Sequence, residues 1–221
     1  MIGTSRKAIA ALVLGVLASF PLGSTAHAQP GPAVIGGGSG IVIDDAAQCT
    51  VTTVGHDRQG RLVGLTAGHC GEPGATISAE AAPGAGPIGR IAFRNTDLDY
   101  ALIEFDPATI VPVSRIGNLT ITGIGAPPDF PAVTCKEGRT TGTTCGIVWG
   151  DLAGSGTETW TQMCVIEGDS GAPVVAGTTL VGMVNAYLGV GCLGPELGTN
   201  MTAIVGDLDA RGGAGAGFQP I

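Results

Sequence analysis

The sequence predicts an all-β protein, and three observations lead there. Glycine and proline are abundant, 39 and 14 of 221 residues, and both penalise helix interiors. Hydrophobic residues make up 44% and charged ones only 13%, which is too apolar for a disordered chain. Short runs rich in Val, Ile and Thr recur between turn residues, the pattern of many short strands. Glycine falls well short of one third and follows no G-X-Y period, so a collagen-like rod is excluded.

Residues 1–28 read as a secretory signal. Arg6 and Lys7 precede an apolar run from Ile9 to Leu22, and Ala26, His27 and Ala28 supply a small-x-small cleavage site. As a membrane anchor the run is too short and too broken. A short N-terminal or pro segment follows over 29–37, and a cut before Val34 or Ile35 is one option, since IGG resembles a mature start. The expected domain spans 38–221, with lobes over about 38–115 and 125–211.

Strands are expected over Cys49–Val54 and Arg61–Thr66, joined by a GHDRQG hairpin turn. His56 in that turn reads as solvated. Further strands are expected over 88–94, 100–105, 132–136, 146–149, 161–166 and 179–185. Between Asp106 and Asp129 prolines gather and the strand signal weakens, as in a connector between lobes. Thr202 to Arg211 is the one helical stretch, with Ile204, Val205 and Leu208 on one face and Gly212–Gly213 as the stop. The glycine-rich pieces at 36–40 and 213–217 join no strand to a long helix, so neither is a nucleotide loop. Trp149, Trp160 and Tyr187 read as core or rim packing.

The net charge is −8, and −10 once Arg6 and Lys7 leave with the signal. Such a surface repels phosphate backbones and anionic lipid, which excludes nucleic acid and membrane surfaces as natural partners. Six cysteines in an exported chain point to three disulfides, with fifteen pairings open. No C-x-x-C occurs and histidines are scattered, so neither a metal nor a cofactor is expected.

Two segments carry chemistry. LTAGHC ends at Cys70, and GDSGAP runs from Gly168 to Pro173. Between them an acid, Asp99, directly precedes the apolar strand YALIE. A serine hydroxyl needs a base to take its proton as it attacks. An imidazole suits that task because it titrates at about 6.5. A carboxylate holds that base in one tautomer, and backbone amides ready for the developing oxyanion complete the set.

TAGHC, DYAL and GDSGAP together resemble the three boxes of chymotrypsin-like serine peptidases, in particular the bacterial streptogrisin and α-lytic protease branch. KEGRTTGTTC, ending at Cys145, is similar to that branch's K-x-G-x-T-T-G-x-x-C, and LGTNM to the strand before its terminal helix. The resemblance implies two six-stranded antiparallel β-barrels with a short C-terminal helix. It implies His69 as general base, Asp99 as its orienter in preference to Asp97, and Ser170 as nucleophile, with the amides of Gly168 and Ser170 as oxyanion donors. Asp169 would brace that turn by pairing with an internal cation, Lys136 being the candidate. The implied disulfides are Cys49–Cys70, Cys135–Cys145 and Cys164–Cys192.

Val165, Val184, Asn185, Ala186 and Tyr187 would line the substrate pocket. Where the family has glycines, Ala186 and Tyr187 stand instead, and a tyrosine there is expected to narrow or roof the pocket. Ala172 replaces a second glycine after the serine. The resemblance implies a secreted, monomeric endopeptidase acting on proteins or peptides, cutting after small or medium apolar residues. The competing expectation is a binding or adhesion protein on the same fold, with a restricted cleft.

Overall fold

The computed structural model describes residues 1–3 and 31–221. The signal expected over 1–28 therefore lies, apart from its first three residues, outside the described residues. Among the described residues no helix is long and apolar enough to cross a membrane.

Most apolar runs of the N-terminal half form one short strand each, because glycine or aspartate turns interrupt them before they can lengthen. The strands are β1 Gly40–Ile43, β2 Ala47–Thr50, β3 Thr53–His56, β4 Leu62–Ala67, β5 Thr76–Ala79, β6 Pro87–Asn95 and β7 Tyr100–Phe105. β1 pairs with β2 and β5, β5 with β6, β6 with β7, β7 with β4, and β4 with β3, all antiparallel. Val51 and Thr52 alone separate β2 from β3, so these two act as one bent strand. The N-terminal sheet thereby curls into a half-barrel whose two ends are successive parts of one bent chain segment, with Gln219–Pro220 added antiparallel to β3. The Cys49–Val54 run breaks there because Val51 donates to Ser39 O and Thr52 to Leu65 O.

The C-terminal half contains β8 Val133–Gly138, β9 Gly142–Gly150, β10 Glu158–Gln162, β11 Pro173–Ala176, β12 Thr179–Tyr187 and β13 Glu196–Asn200. Its ladder runs β8–β9–β10–β13–β12–β11 and back to β8, a closed six-stranded barrel. Helix α1, Met201–Arg211, then packs Ile204 and Leu208 into the same core as Leu65, Leu102 and Ile103. This explains why β4 is buried along its whole length: one face looks into a barrel and the other is covered. Disulfides join Cys49 to Cys70, Cys135 to Cys145 and Cys164 to Cys192.

Some expectations change. The strand expected over 161–166 leaves the ladder after Gln162. Side chains take over there: Thr144 Oγ1 donates to Cys164 O at 2.9 Å, and Ile166 N–H donates to the Asp169 carboxylate at 3.2 Å. Strands β1, β5 and β11 escaped the sequence reading because each has only four residues, too few for a period to show. The connector contributes short parallel pairings, Ile110–Pro112 with Ala33–Ile35 and Gly123–Ile124 with the start of β12. His56 closes β3 rather than sitting in the turn, and its side chain is exposed.

Inside the C-terminal barrel lies a carboxylate that the apolar pattern does not announce. Glu196 on β13 is 1% exposed and borders a cavity of about 10 Å³ with Thr134, Thr159 and Thr161. Burial pushes its carboxyl well above the ordinary range, against weaker opposing effects of Thr161 and Lys136. The folded state thus holds this proton more tightly than the unfolded chain does. Stability from this group is full below the ordinary carboxyl pKa of 4.5. It is lost as pH rises toward the folded value, at about 1.4 kcal/mol per pH unit. Glu196→Gln should therefore flatten the decline and be the more stable form at pH 8. Urea melts at pH 5 and pH 8 check this, and an unchanged difference between the two pH values would count against it.

Candidate active site

β4 ends in a single 3-10 turn, Gly68–Cys70, and that turn presents His69 at the rim of the N-terminal half-barrel. The Cys49–Cys70 disulfide fixes the residue beside it to β2. Asp99 sits immediately before β7, the strand paired with β4, so the two loops emerge side by side. A Cβ on Gly68 would lie 2.9 Å from the Asp99 backbone, so only glycine permits this approach. Asp99 itself adopts φ +45°, a left-handed conformation that aspartate tolerates better than most residues and that cost concentrates at functional sites.

The resulting contacts are short. His69 Nδ1 is 2.7 Å from Asp99 Oδ2, and the His69 backbone N–H donates to Asp99 Oδ1 at 2.7 Å. On its other side His69 Nε2 is 2.8 Å from Ser170 Oγ. Because the carboxylate accepts at Nδ1, the proton belongs there and Nε2 is left to accept from the serine. Burial alone would raise the Asp99 carboxyl, but hydrogen bonds from His69 and Asn185 outweigh it and hold Asp99 below the usual range. Asp97 makes no such contact; its N–H donates to Asn95 Oδ1 in a local turn.

Asn185 was expected only as a pocket residue. It lines the pocket, but its amide also donates to Asp99 O at 2.6 Å and to Asp99 Oδ2 at 2.9 Å. Its own carbonyl accepts from Thr199 N–H at 2.9 Å. The register of β12 against β13 shifts between Val184 and Ala186, and such a bulge re-aims the side chain it carries. The sequence carries no signal for this contact, which depends on the bulge.

The turn that carries Ser170 is held from below. Asp169 is fully buried and pairs with the equally buried Lys136 at 3.3 Å. It also accepts from Thr140 N–H and Thr141 N–H at 3.1 Å each, and from Thr141 Oγ1 at 2.6 Å. Burial lowers the Lys136 ammonium below its ordinary range, with Asp169 opposing. Lys136 is thus the internal cation facing Asp169. Gly168 has φ +92°, and a Cβ there would lie 2.4 Å from Thr140 Oγ1, so the turn requires glycine. The N–H groups of Gly168 and Ser170 donate to no acceptor among the described residues. Backbone amides left free beside a nucleophile are the donors an oxyanion needs.

Two cavities meet at Ser170. One, of about 240 Å³, is lined by Val165, Ile166, Val184, Asn185, Ala186 and Tyr187. Val165 and Val184 are its buried apolar walls. Tyr187 stands at its exposed edge, 37% accessible, and borders the cavity rather than filling it. The other, of about 510 Å³, runs past His69, the Cys49–Cys70 disulfide, Gln48 and Arg139. Glu167 and Ser170 line both.

No family model matches the chain. Its fold is that of bacterial chymotrypsin-like serine proteases, the branch its motifs resemble. Protease A of Thermobifida fusca superposes with a TM-score of 0.67 at 24% identity, over 86% of this chain and 99% of that one. The Nocardiopsis protease gives 0.65 at 24% identity, over 79% and 96%. A Cellulomonas bogoriensis chymotrypsin gives 0.64 at 25% identity, over 85% and 98%.

Proposed function

We propose that the protein is an exported serine endopeptidase in which Ser170 is the nucleophile, His69 the general base and Asp99 its orienter. The observation that carries this reading is the unbroken hydrogen-bond chain Asn185–Asp99–His69–Ser170 beside two free backbone amides. Ser170 Oγ attacks the carbonyl carbon of the scissile bond and passes its proton to His69 Nε2. The carbonyl oxygen takes up negative charge facing the amides of Gly168 and Ser170. As the carbonyl re-forms, the C–N bond breaks, and the leaving amine receives the proton from His69. Water then repeats the sequence on the acyl ester, losing its proton to His69 and releasing the acid and Ser170.

The buried Val165 and Val184 walls suit a small or medium apolar residue on the acyl side. Three disulfides agree with life outside the cytoplasm. The test is covalent labelling by a fluorophosphonate probe. The wild-type protein should be modified at Ser170 and Ser170→Ala should not. Labelling should slow on acidification, because a protonated imidazole cannot accept the serine proton. A folded wild-type protein that resists the probe would favour the binding-protein reading instead.

A further inference from the structure

The leaving-group side of the cleft is identified by chemistry. His69 must hand its proton to the departing amine, so the departing segment passes the cavity that His69 lines, the one of about 510 Å³. Two charged side chains besides the histidine border that cavity, Arg139 and Glu167. Arg139 is already neutralised: its guanidinium grips both carboxylate oxygens of Glu80, through Nε at 2.7 Å and through Nη2. Glu167 differs. Its backbone is fixed, since its carbonyl accepts from Thr140 Oγ1 at 2.9 Å, yet its carboxylate has no hydrogen-bond or ion-pair partner among the described residues. It is exposed, sits next to Gly168, and is the one charged residue common to both cavities that flank Ser170.

We infer that Glu167 is a specificity-determining residue, making the cleft select polypeptides with Lys or Arg in the first two positions after the scissile bond. An unpaired carboxylate beside the path of the leaving segment attracts a cationic side chain and repels an acidic one. The net charge of −8 adds long-range attraction for the same basic substrates and repels acidic ones. Val165 and Val184 then read the acyl-side residue, while Glu167, which borders both cavities, adds a preference for a cationic leaving segment. The inference rests on the peptidase reading above.

The experiment uses internally quenched peptides identical except for the first two residues after the scissile bond, Lys-Lys, Gln-Gln or Glu-Glu. kcat/KM is measured for wild type, Glu167→Gln, Glu167→Lys and Ser170→Ala at low and at high salt. Wild type should favour Lys-Lys over Glu-Glu about ten-fold at low ionic strength, the effect of a few exposed charge contacts. Salt should compress that ratio, Glu167→Gln should bring it toward one, and Glu167→Lys should invert it. A ratio that Glu167→Gln leaves unchanged overturns the inference while the peptidase reading stands. Absence of any cleavage that depends on Ser170 overturns both.

Discussion

Changing Asp99 to asparagine should lower kcat on a peptide substrate by about 10⁴-fold while leaving the barrels folded. The carboxylate has three tasks in this geometry. It accepts from His69 Nδ1, from the His69 backbone N–H and from the Asn185 amide. An asparagine oxygen can still serve one of these donors, so the loop is expected to keep its shape. Its NH2 group would donate toward Nδ1 and so drive the imidazole proton onto Nε2. In that tautomer Nε2 points a hydrogen at Ser170 and can no longer take the serine proton. Steady-state kinetics beside a thermal melt would check this. A variant with an unchanged melt and a rate within ten-fold of wild type would refute the assigned role of Asp99.

The second large effect concerns Lys136. Lys136→Met should destabilise the protein by about 3–5 kcal/mol, because removing one partner leaves a buried charge on Asp169. In a chain of this size that corresponds to a fall in Tm of roughly 10 °C. The ammonium also donates to Gly142 O at 2.9 Å, so the β8–β9 hairpin loosens with the Ser170 turn, and kcat should fall as well. Burial already works against the Lys136 charge, so the pair is a net burden that only mutual neutralisation offsets. Lys136→Met combined with Asp169→Asn should therefore lose less stability than Lys136→Met alone. Differential scanning calorimetry of the single and double variants decides the matter. Equal losses would show that the buried charge is not what the lysine compensates.

Much of this was legible in the sequence, for identifiable reasons. His69, Asp99 and Ser170 stand in segments whose residue types are dictated by backbone geometry. Gly68 admits Asp99, and Gly168 admits the turn against Thr140, so short strings of letters carry the site. The strands expected over 61–66 and 100–105 are those with long apolar runs, and they form the wall behind His69. Asn185 was harder, because its contact with Asp99 depends on a bulge in β12 that no periodicity announces. Glu196 was harder still. A buried carboxylate on a strand reads as a surface residue until the opposite wall is known, and that wall is set by a ladder joining residues far apart in the chain. Tyr187, expected to narrow or roof the pocket, lines it from the rim, on the exposed end of β12.

His69 and Asp99 come from one barrel, Ser170 and Asn185 from the other, and every disulfide closes within a single barrel. The covalent staples therefore resist the unravelling of either lobe without resisting the parting of the two. What joins them is a shared apolar core, in which Leu180, Met183 and Ile204 meet Leu65 and Leu102, and hydrogen bonds at the cleft such as Thr199 Oγ1 to Leu98 O at 2.9 Å and Thr50 N–H to Ser170 O at 2.8 Å. Competence is then a property of the seam between the lobes. A chain whose halves had drifted apart would keep its cystines, expose the apolar core that both lobes build, and be inert.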